Sequence, residues 1–262
     1  MDRSDGGRPA RAPAGDPGLK FTKMHGCGND FIVLDEAVTI DAARARALCD
    51  RRTGIGADGI LVIGAPAGRR WPLVIHNADG SIADACGNGS RCAARYLLDR
   101  HGGDELELDT ASGVVRAWRD PEGIGIELAA PQLGDVLQID GHEARTVRVG
   151  NPNVMIFVDD PASEDLVALA AASKAIAGPA NVGAVTPRGA DEIALRVHER
   201  GVGETLACGT GSCAAVAAAI ARGDVTSDTV RVRLPGGTLI VRPRGDRYEL
   251  AGPAEYVFTG ES

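Results

Sequence analysis

One short pattern occurs twice in the chain and constrains its fold more than any other feature. Cys86-Gly87-Asn88-Gly89-Ser90-Arg91-Cys92-Ala93-Ala94 resembles Cys208-Gly209-Thr210-Gly211-Ser212-Cys213-Ala214-Ala215. Each copy starts at a cysteine, passes two glycines and enters a run of small residues that reads as a helix, over 88–100 and 210–222. Each sits in the middle of a half of similar size. A helix such as 210–222, apolar nearly all round between 214 and 221, must be buried on most sides. The simplest fold that does this twice has two related α/β halves, each a mainly antiparallel sheet packed around one central helix.

The rest of the chain supplies the sheets. Short apolar runs predict strands over 19–24, 31–34, 60–63, 73–76, 106–109, 114–118, 124–128, 145–149, 154–158, 193–197, 230–234, 239–242 and 248–251. Two further helices are predicted over 41–51 and 164–174. The 262 residues allow two domains, and the expected division is 19–130 and 131–251. Residues 1–18 are rich in Gly, Pro, Arg and Asp and lack the apolar core of a signal peptide, so they are expected to be a disordered leader.

With 36 acidic and 28 basic side chains, the formal net charge is −8, which argues against a nucleic-acid partner. No apolar run approaches the roughly 18 residues that a membrane helix needs, so no membrane partner is expected either. Without a secretion signal the expected compartment is the cytoplasm, where six cysteines read as free thiols rather than a disulfide framework.

A cysteine just ahead of a helix lies where unpaired backbone amides point outward, and those amides and the helix dipole favour thiolate. The same amides can hold a carboxylate. One such site suggests a nucleophile or redox thiol. Two matched sites facing one another suit inversion at the α-carbon of an amino acid: one thiolate removes the proton from one face, and one thiol returns a proton to the other. Preorganised amides would stabilise the charge that flows into the carboxylate.

At these residues the chain resembles the diaminopimelate epimerase family, from about Lys20 to Phe258. The motifs are Lys23-Met24-His25-Gly26 with Gly28-Asn29-Asp30-Phe31, then Asn77-Ala78-Asp79-Gly80-Ser81 and Ala85-Cys86-Gly87-Asn88-Gly89. They continue through Gly150-Asn151-Pro152, Asn181-Val182-Gly183 and Glu199-Arg200-Gly201 to Ala207-Cys208-Gly209-Thr210-Gly211. The resemblance implies two pseudo-symmetric domains with the site in the cleft between them, and neither pyridoxal phosphate nor metal. It implies Cys86 and Cys208 as the catalytic pair, with Gly87-Asn88 and Gly209-Thr210 holding the reacting carboxylate. Asn29, Asn77, Asn151, Asn181, Glu199 and Arg200 match residues that hold the substrate's amines and distal carboxylate. It also implies a homodimer with Phe258 at the contact, and a final strand, within 252–262, that returns to the first domain.

The implied reaction converts LL-diaminopimelate to the meso form, for lysine and cell-wall biosynthesis. Two positions depart from the family pattern. Asn153 stands where a histidine is usual, one thought to tune the thiols together with the position of Glu199. Gly59 stands where some members carry a substrate-binding glutamine. These departures keep a second reading open: a racemase of another polar amino acid, such as O-ureidoserine on the route to the antibiotic cycloserine.

Other residues carry plainer readings. Cys92 and Cys213 fall inside the helices and read as core; Cys27 and Cys49 have no motif. A zinc site from Cys86, Cys92, Cys208 and Cys213 lacks the usual short C-x₂₋₄-C spacing. Gly54-Ile55-Gly56-Ala57-Asp58-Gly59 spells a dinucleotide fingerprint, but it follows a helix and precedes a strand, the reverse of the required context.

Overall fold

The computed structural model describes residues 18–35, 38–84 and 86–262. The expected leader, apart from residue 18, lies outside the described residues, as does Ala85 of the first cysteine motif. In chain order the first half holds β1 (Lys20–Gly26), β2 (Asn29–Leu34), α1 (Ala42–Cys49), β3 (Gly59–Ile63), β4 (Arg70–Asn77), β5 (Ile82–Ala83), α2 (Gly87–His101), β6 (Glu105–Thr110), β7 (Gly113–Asp120) and β8 (Gly123–Ala129). The second half holds β9 (Gln132–Ile139), β10 (His142–Val149), β11 (Asn151–Phe157), a 3₁₀ turn (Pro161–Ser163), α3 (Leu166–Ala177), β12 (Asn181–Pro187), β13 (Glu192–Glu199), β14 (Gly203–Thr205), α4 (Gly209–Arg222), β15 (Val230–Leu234), β16 (Gly237–Arg244) and β17 (Arg247–Gly252). β18 (Glu255–Glu261) ends the chain.

The two halves repeat strand for strand. β1 pairs antiparallel with β2, β2 parallel with β3, β3 antiparallel with β4, and β4 parallel with β6, which continues antiparallel through β7 to β8. In the same senses β10 pairs with β11, β11 with β12, β12 with β13, and β13 with β15, which continues through β16 to β17. The β9–β10 pairing has its counterpart in β18 on β1, so the last strand completes the first half. β8 and β17 pair antiparallel and join the two halves into one continuous sheet.

The offset that takes Cys86 to Cys208 also takes Asn29 to Asn151, Gly59 to Asn181, Asn77 to Glu199 and Arg91 to Cys213. The registers agree: Phe31 lies opposite Gly59 as Asn153 lies opposite Asn181.

Each half wraps its sheet around one helix and carries a second outside. α2 packs on β1, β2, β6, β7 and β8, and α4 on β10 to β13 and β16. Leu97 and Leu98 of α2 are fully buried, each contributing about 1.5–3 kcal/mol. α4 presents small side chains from Cys213 to Ala219, all buried, which lets strands approach it on every side. The expected all-round burial stops there, because Ile220 and Ala221 face solvent. α1 covers β2 and β3 from outside through Ala45 and Cys49, and α3 covers β11 and β12 through Leu166 and Leu169.

Candidate active site

Cys86 and Cys208 are the N-caps of α2 and α4. Both have extended backbones, φ −147° and ψ 107° for Cys86, φ −134° and ψ 117° for Cys208. Each thiol accepts a hydrogen bond from the amide three residues on, Gly89 N–H and Gly211 N–H, both at 3.4 Å. A sulfur occupies the position that a Ser or Asp side chain usually fills at a helix start. The helical ladder leaves the amides of Gly87, Asn88, Gly209 and Thr210 without a carbonyl one turn back.

These four amides converge. A Cβ placed on Gly87 would lie 3.8 Å from the Gly209 Cα, and one on Gly209 would lie 3.7 Å from the Gly87 Cα. The two helices thus meet end to end at their positive poles. Packing restricts Gly209 more than Gly87: a Cβ on Gly209 would sit 2.7 Å from Leu250 Cδ2, whereas one on Gly87 would lie 3.4 Å from the same atom. Two abutting helix N-termini make a concentrated anion site.

Around Cys86, the Asn29 Oδ1 lies 3.9 Å from the sulfur and accepts from Asn88 Nδ2 at 3.2 Å. Asn29 Nδ2 donates to Asp58 Oδ2 at 2.9 Å. Asp58 and Asp30 share the Arg51 guanidinium, at 2.7 Å each, and Lys23 pairs with Asp30 at 2.6 Å. This network, covered at Lys23 and Asp30 and open to solvent at Arg51 and Asp58, anchors the asparagine beside the thiol. Around Cys208, the Thr210 hydroxyl lies 3.5 Å from the sulfur. Glu199 Oε1 accepts from the Thr205 hydroxyl at 2.7 Å, and the Glu199 carboxylate faces both thiols.

A second cluster follows in the other half. Asn181 Oδ1 accepts from the Arg200 N–H at 2.9 Å, and Asn181 Nδ2 donates to Asn153 Oδ1 at 3.4 Å. Asn153 Nδ2 donates in turn to the Asn151 carbonyl at 2.9 Å. Asn153, fully buried, therefore joins Asn151 to Asn181 by hydrogen bonds alone and brings no titrating group. Asn77 lies at the end of β4, and its Nδ2 donates to Ser81 Oγ at 2.9 Å, in the turn that follows. A Cβ on Gly59, opposite Asn77, would meet the His76 carbonyl at 2.6 Å, so a side chain there requires the backbone to shift.

The electrostatics differ from the sequence expectation that helix amides favour thiolate. Burial pushes the Cys86 thiol up; the Gly89 amide and Arg91 oppose this, and the Glu199 charge adds to it. Burial and Glu199 push the Cys208 thiol up as well, against the Thr210 hydroxyl and the Gly211 amide. The amides act in the expected direction, but desolvation of the charged form outweighs them. Cys92 and Cys213, fully buried in the helices, are pushed up to about 12 by burial, as suits core thiols. The Gly54–Gly59 segment is a turn between α1 and β3, with Gly54 N–H on the Asp50 carbonyl.

One residue escapes a reading of the sequence. Arg91 lies among the alanines of α2 and is fully buried. Its only signal is the break in symmetry, arginine in one repeat where the other has Cys213. Among the described residues, no group of three or more His, Cys, Asp or Glu is arranged to hold a metal ion. No helix of these residues is long and apolar enough to cross a membrane.

Two matched sheets, each closed on a helix that begins at a thiol, define a class of pseudo-symmetric α/β protein. The fold is shared with a phenazine biosynthesis protein of the PhzF family from Bacillus anthracis, with a TM-score of 0.75 at 16% identity over 94% of this chain and 99% of the other. The family model described as diaminopimelate epimerase matches residues 21–130 and 145–257. Two relatives bearing that name are similar throughout. The one from Xanthomonas axonopodis pv. citri is 41% identical over 93% of this chain and 96% of its own length. The one from Teredinibacter turnerae is 38% identical over 93% and 98%. The chain belongs to the diaminopimelate epimerase family.

Proposed function

We propose that the protein is an isomerase that converts LL-diaminopimelate to the meso form with no cofactor, using Cys86 and Cys208 as a thiolate/thiol pair. The observation that carries this reading is the end-to-end meeting of α2 and α4, each capped by its cysteine. A substrate carboxylate held by the amides of Gly87, Asn88, Gly209 and Thr210 would have its α-carbon between the two sulfurs. As one thiolate removes the α-proton, charge flows into that carboxylate, where the fixed amides stabilise it. One such donor is worth about 3–4 kcal/mol in a known case. The opposite thiol then delivers its proton to the other face, and reversal exchanges the roles.

In this reading Glu199 keeps a proton on the neighbouring thiol until the substrate arrives. Arg200 pairs with the distal carboxylate, and Asn29, Asn77, Asn151 and Asn181 bind the substrate's polar groups, with Asn153 holding the last two in place. Residues 19–130, with the returning strand in 252–262, and residues 131–251 act as two units that close on the substrate and exclude water. The names of the relatives favour diaminopimelate over the second substrate reading.

A homodimer is part of the same proposal. β18 is an edge strand with Tyr256, Val257 and Phe258 all exposed, and Phe258 packs edge-on against Phe21 at 5.9 Å. An exposed apolar edge is suited to pairing with a second copy. A cytoplasmic location, where free thiols persist, completes it.

The test is a panel of L-amino acids in D₂O, read by exchange of the α-proton. Exchange with LL-diaminopimelate is expected. No exchange there, with exchange on another amino acid, would overturn the substrate assignment.

A further inference from the structure

Arg91 is 0% exposed, and an arginine keeps its charge in any protein environment. Full burial of a cation costs several kcal/mol unless something nearby uses the charge. Among the described residues no carboxylate pairs with it. Its Nη2 donates to Asn88 Oδ1 at 2.8 Å, while Nε and Nη1 have no hydrogen-bond partner. The titratable groups that face it are thiols: Cys86 and Cys92 of α2, Cys213 of α4, and Cys27 of the β1–β2 turn, itself faced by Glu255.

The bond to Asn88 has geometric consequences. A guanidinium only donates, so the Asn88 oxygen must point toward Arg91 and its NH₂ group must point away. That NH₂ group donates to Asn29 Oδ1 at 3.2 Å and to the Ala207 carbonyl at 3.1 Å. Asn29 Oδ1 is the atom beside the Cys86 sulfur, and Ala207 immediately precedes Cys208. One buried guanidinium therefore fixes the amide that ties the two cysteine loops together.

The charge is also placed asymmetrically. The counterpart of Arg91 on α4 is the neutral Cys213. Cys86 is faced by Arg91, the Gly89 and Asn88 amides and Glu199. Cys208 is faced by Glu199, the Thr210 hydroxyl and the Gly211 amide. Cys86 thus has a buried cation on its own helix at the place where the helix of Cys208 carries a neutral thiol, in an interior where charges interact strongly.

We propose that Arg91 is a positioning residue that locks the two cysteine loops through Asn88 and makes Cys86, rather than Cys208, the member of the pair that ionises first. The proposal rests on the two-thiol reading above and assigns the resting proton to Cys208.

The full-length protein can be alkylated with iodoacetamide across a pH series, with Cys86 and Cys208 followed separately by peptide mass spectrometry. In the unmodified protein the alkylation midpoint of Cys86 is expected below that of Cys208; the reverse order overturns the proposal without any variant. In Arg91→Met the Cys86 midpoint is expected to rise by about one pH unit, with a smaller change at Cys208. Arg91→Lys, which keeps the charge, should hold the Cys86 midpoint near its original value. An unmoved Cys86 midpoint in folded Arg91→Met overturns the proposal. Should Arg91→Met fail to fold, the order in the unmodified protein and the Arg91→Lys midpoint decide. α-Proton exchange by the unmodified protein is measured alongside. Its absence defeats the two-thiol reading and leaves the alkylation order intact, whereas exchange with the wrong alkylation order defeats only the role of Arg91.

Discussion

The Asn88 side chain donates a hydrogen bond to the Ala207 carbonyl at 3.1 Å, across 119 positions of sequence and across the seam between the halves. It fastens the first turn of α2 to the residue before Cys208. The two helix ends and their thiols are therefore held relative to each other by a direct bond as well as by the shared β8–β17 pairing.

Cys86→Ser is expected to slow inversion at least about a hundredfold, the scale of losing a positioned acid or base. A serine hydroxyl is a far poorer base, yet it can still cap α2. Substrate binding by calorimetry should persist. Turnover equal to that of the unmodified protein would refute Cys86 as the proposed base.

Gly209→Ala should destabilise the fold by about 1–3 kcal/mol, as overpacking does, because its Cβ would lie 2.7 Å from Leu250 Cδ2. Gly87→Ala meets the same atom at 3.4 Å, an ordinary contact, so its effect should stay within about 0.5 kcal/mol. Urea unfolding of the two variants checks the contrast, and equal effects would contradict the packing at the seam.

Glu199→Gln removes the charge that raises both thiols. Thiolate should then form at lower pH, and the acidic limb of the pH–rate profile should move toward lower pH. A limb that stays in place would show that the carboxylate does not act on the thiols.

Burial pushes the Asp30 carboxyl up, but hydrogen bonds from Arg51 and Lys23 outweigh it and hold the group well below the usual carboxylate range. A carboxylate depressed in the folded state adds stability above its unfolded value of about 4, and that stability is lost as pH falls toward the folded value. Unfolding free energy should therefore drop on acidification below about pH 5, and Asp30→Asn should flatten the slope. Urea titrations at several pH values measure both, and parallel slopes would count against the network.

Much of this architecture is legible in the sequence, and the exceptions have physical causes. The repeated cysteine motif exposes the two central helices, since glycines and small residues at a helix start are a local signal. β9 escapes notice because, as an edge strand, it exposes nearly every residue and so loses alternation; Gly134 and Asp135 blur it further. β12 escapes for the opposite reason. Its residues are buried on both faces, and Gly183 and the terminal Pro187 read as breakers. The upward shift of the two thiols was hidden because burial arises from packing between halves. Arg91 was hidden in the same way: an arginine in a helix reads as a solvent-facing residue until the barrel closes around it.

β18 pairs with β1, and this has a consequence for the order of events during synthesis. The first half leaves the ribosome before the second, yet its outermost strand, Glu255–Glu261, is translated after the second half. Until those residues emerge, β1 offers an unpaired edge and the surroundings of α2 are incomplete. A pairing this distant in sequence also slows folding, because a long loop must close before any contact offsets its entropy. The nascent first half is thus exposed to mispairing and to chaperones for the whole time that the second half is being made. Its thiol reaches its finished surroundings only after Glu255–Glu261 has emerged.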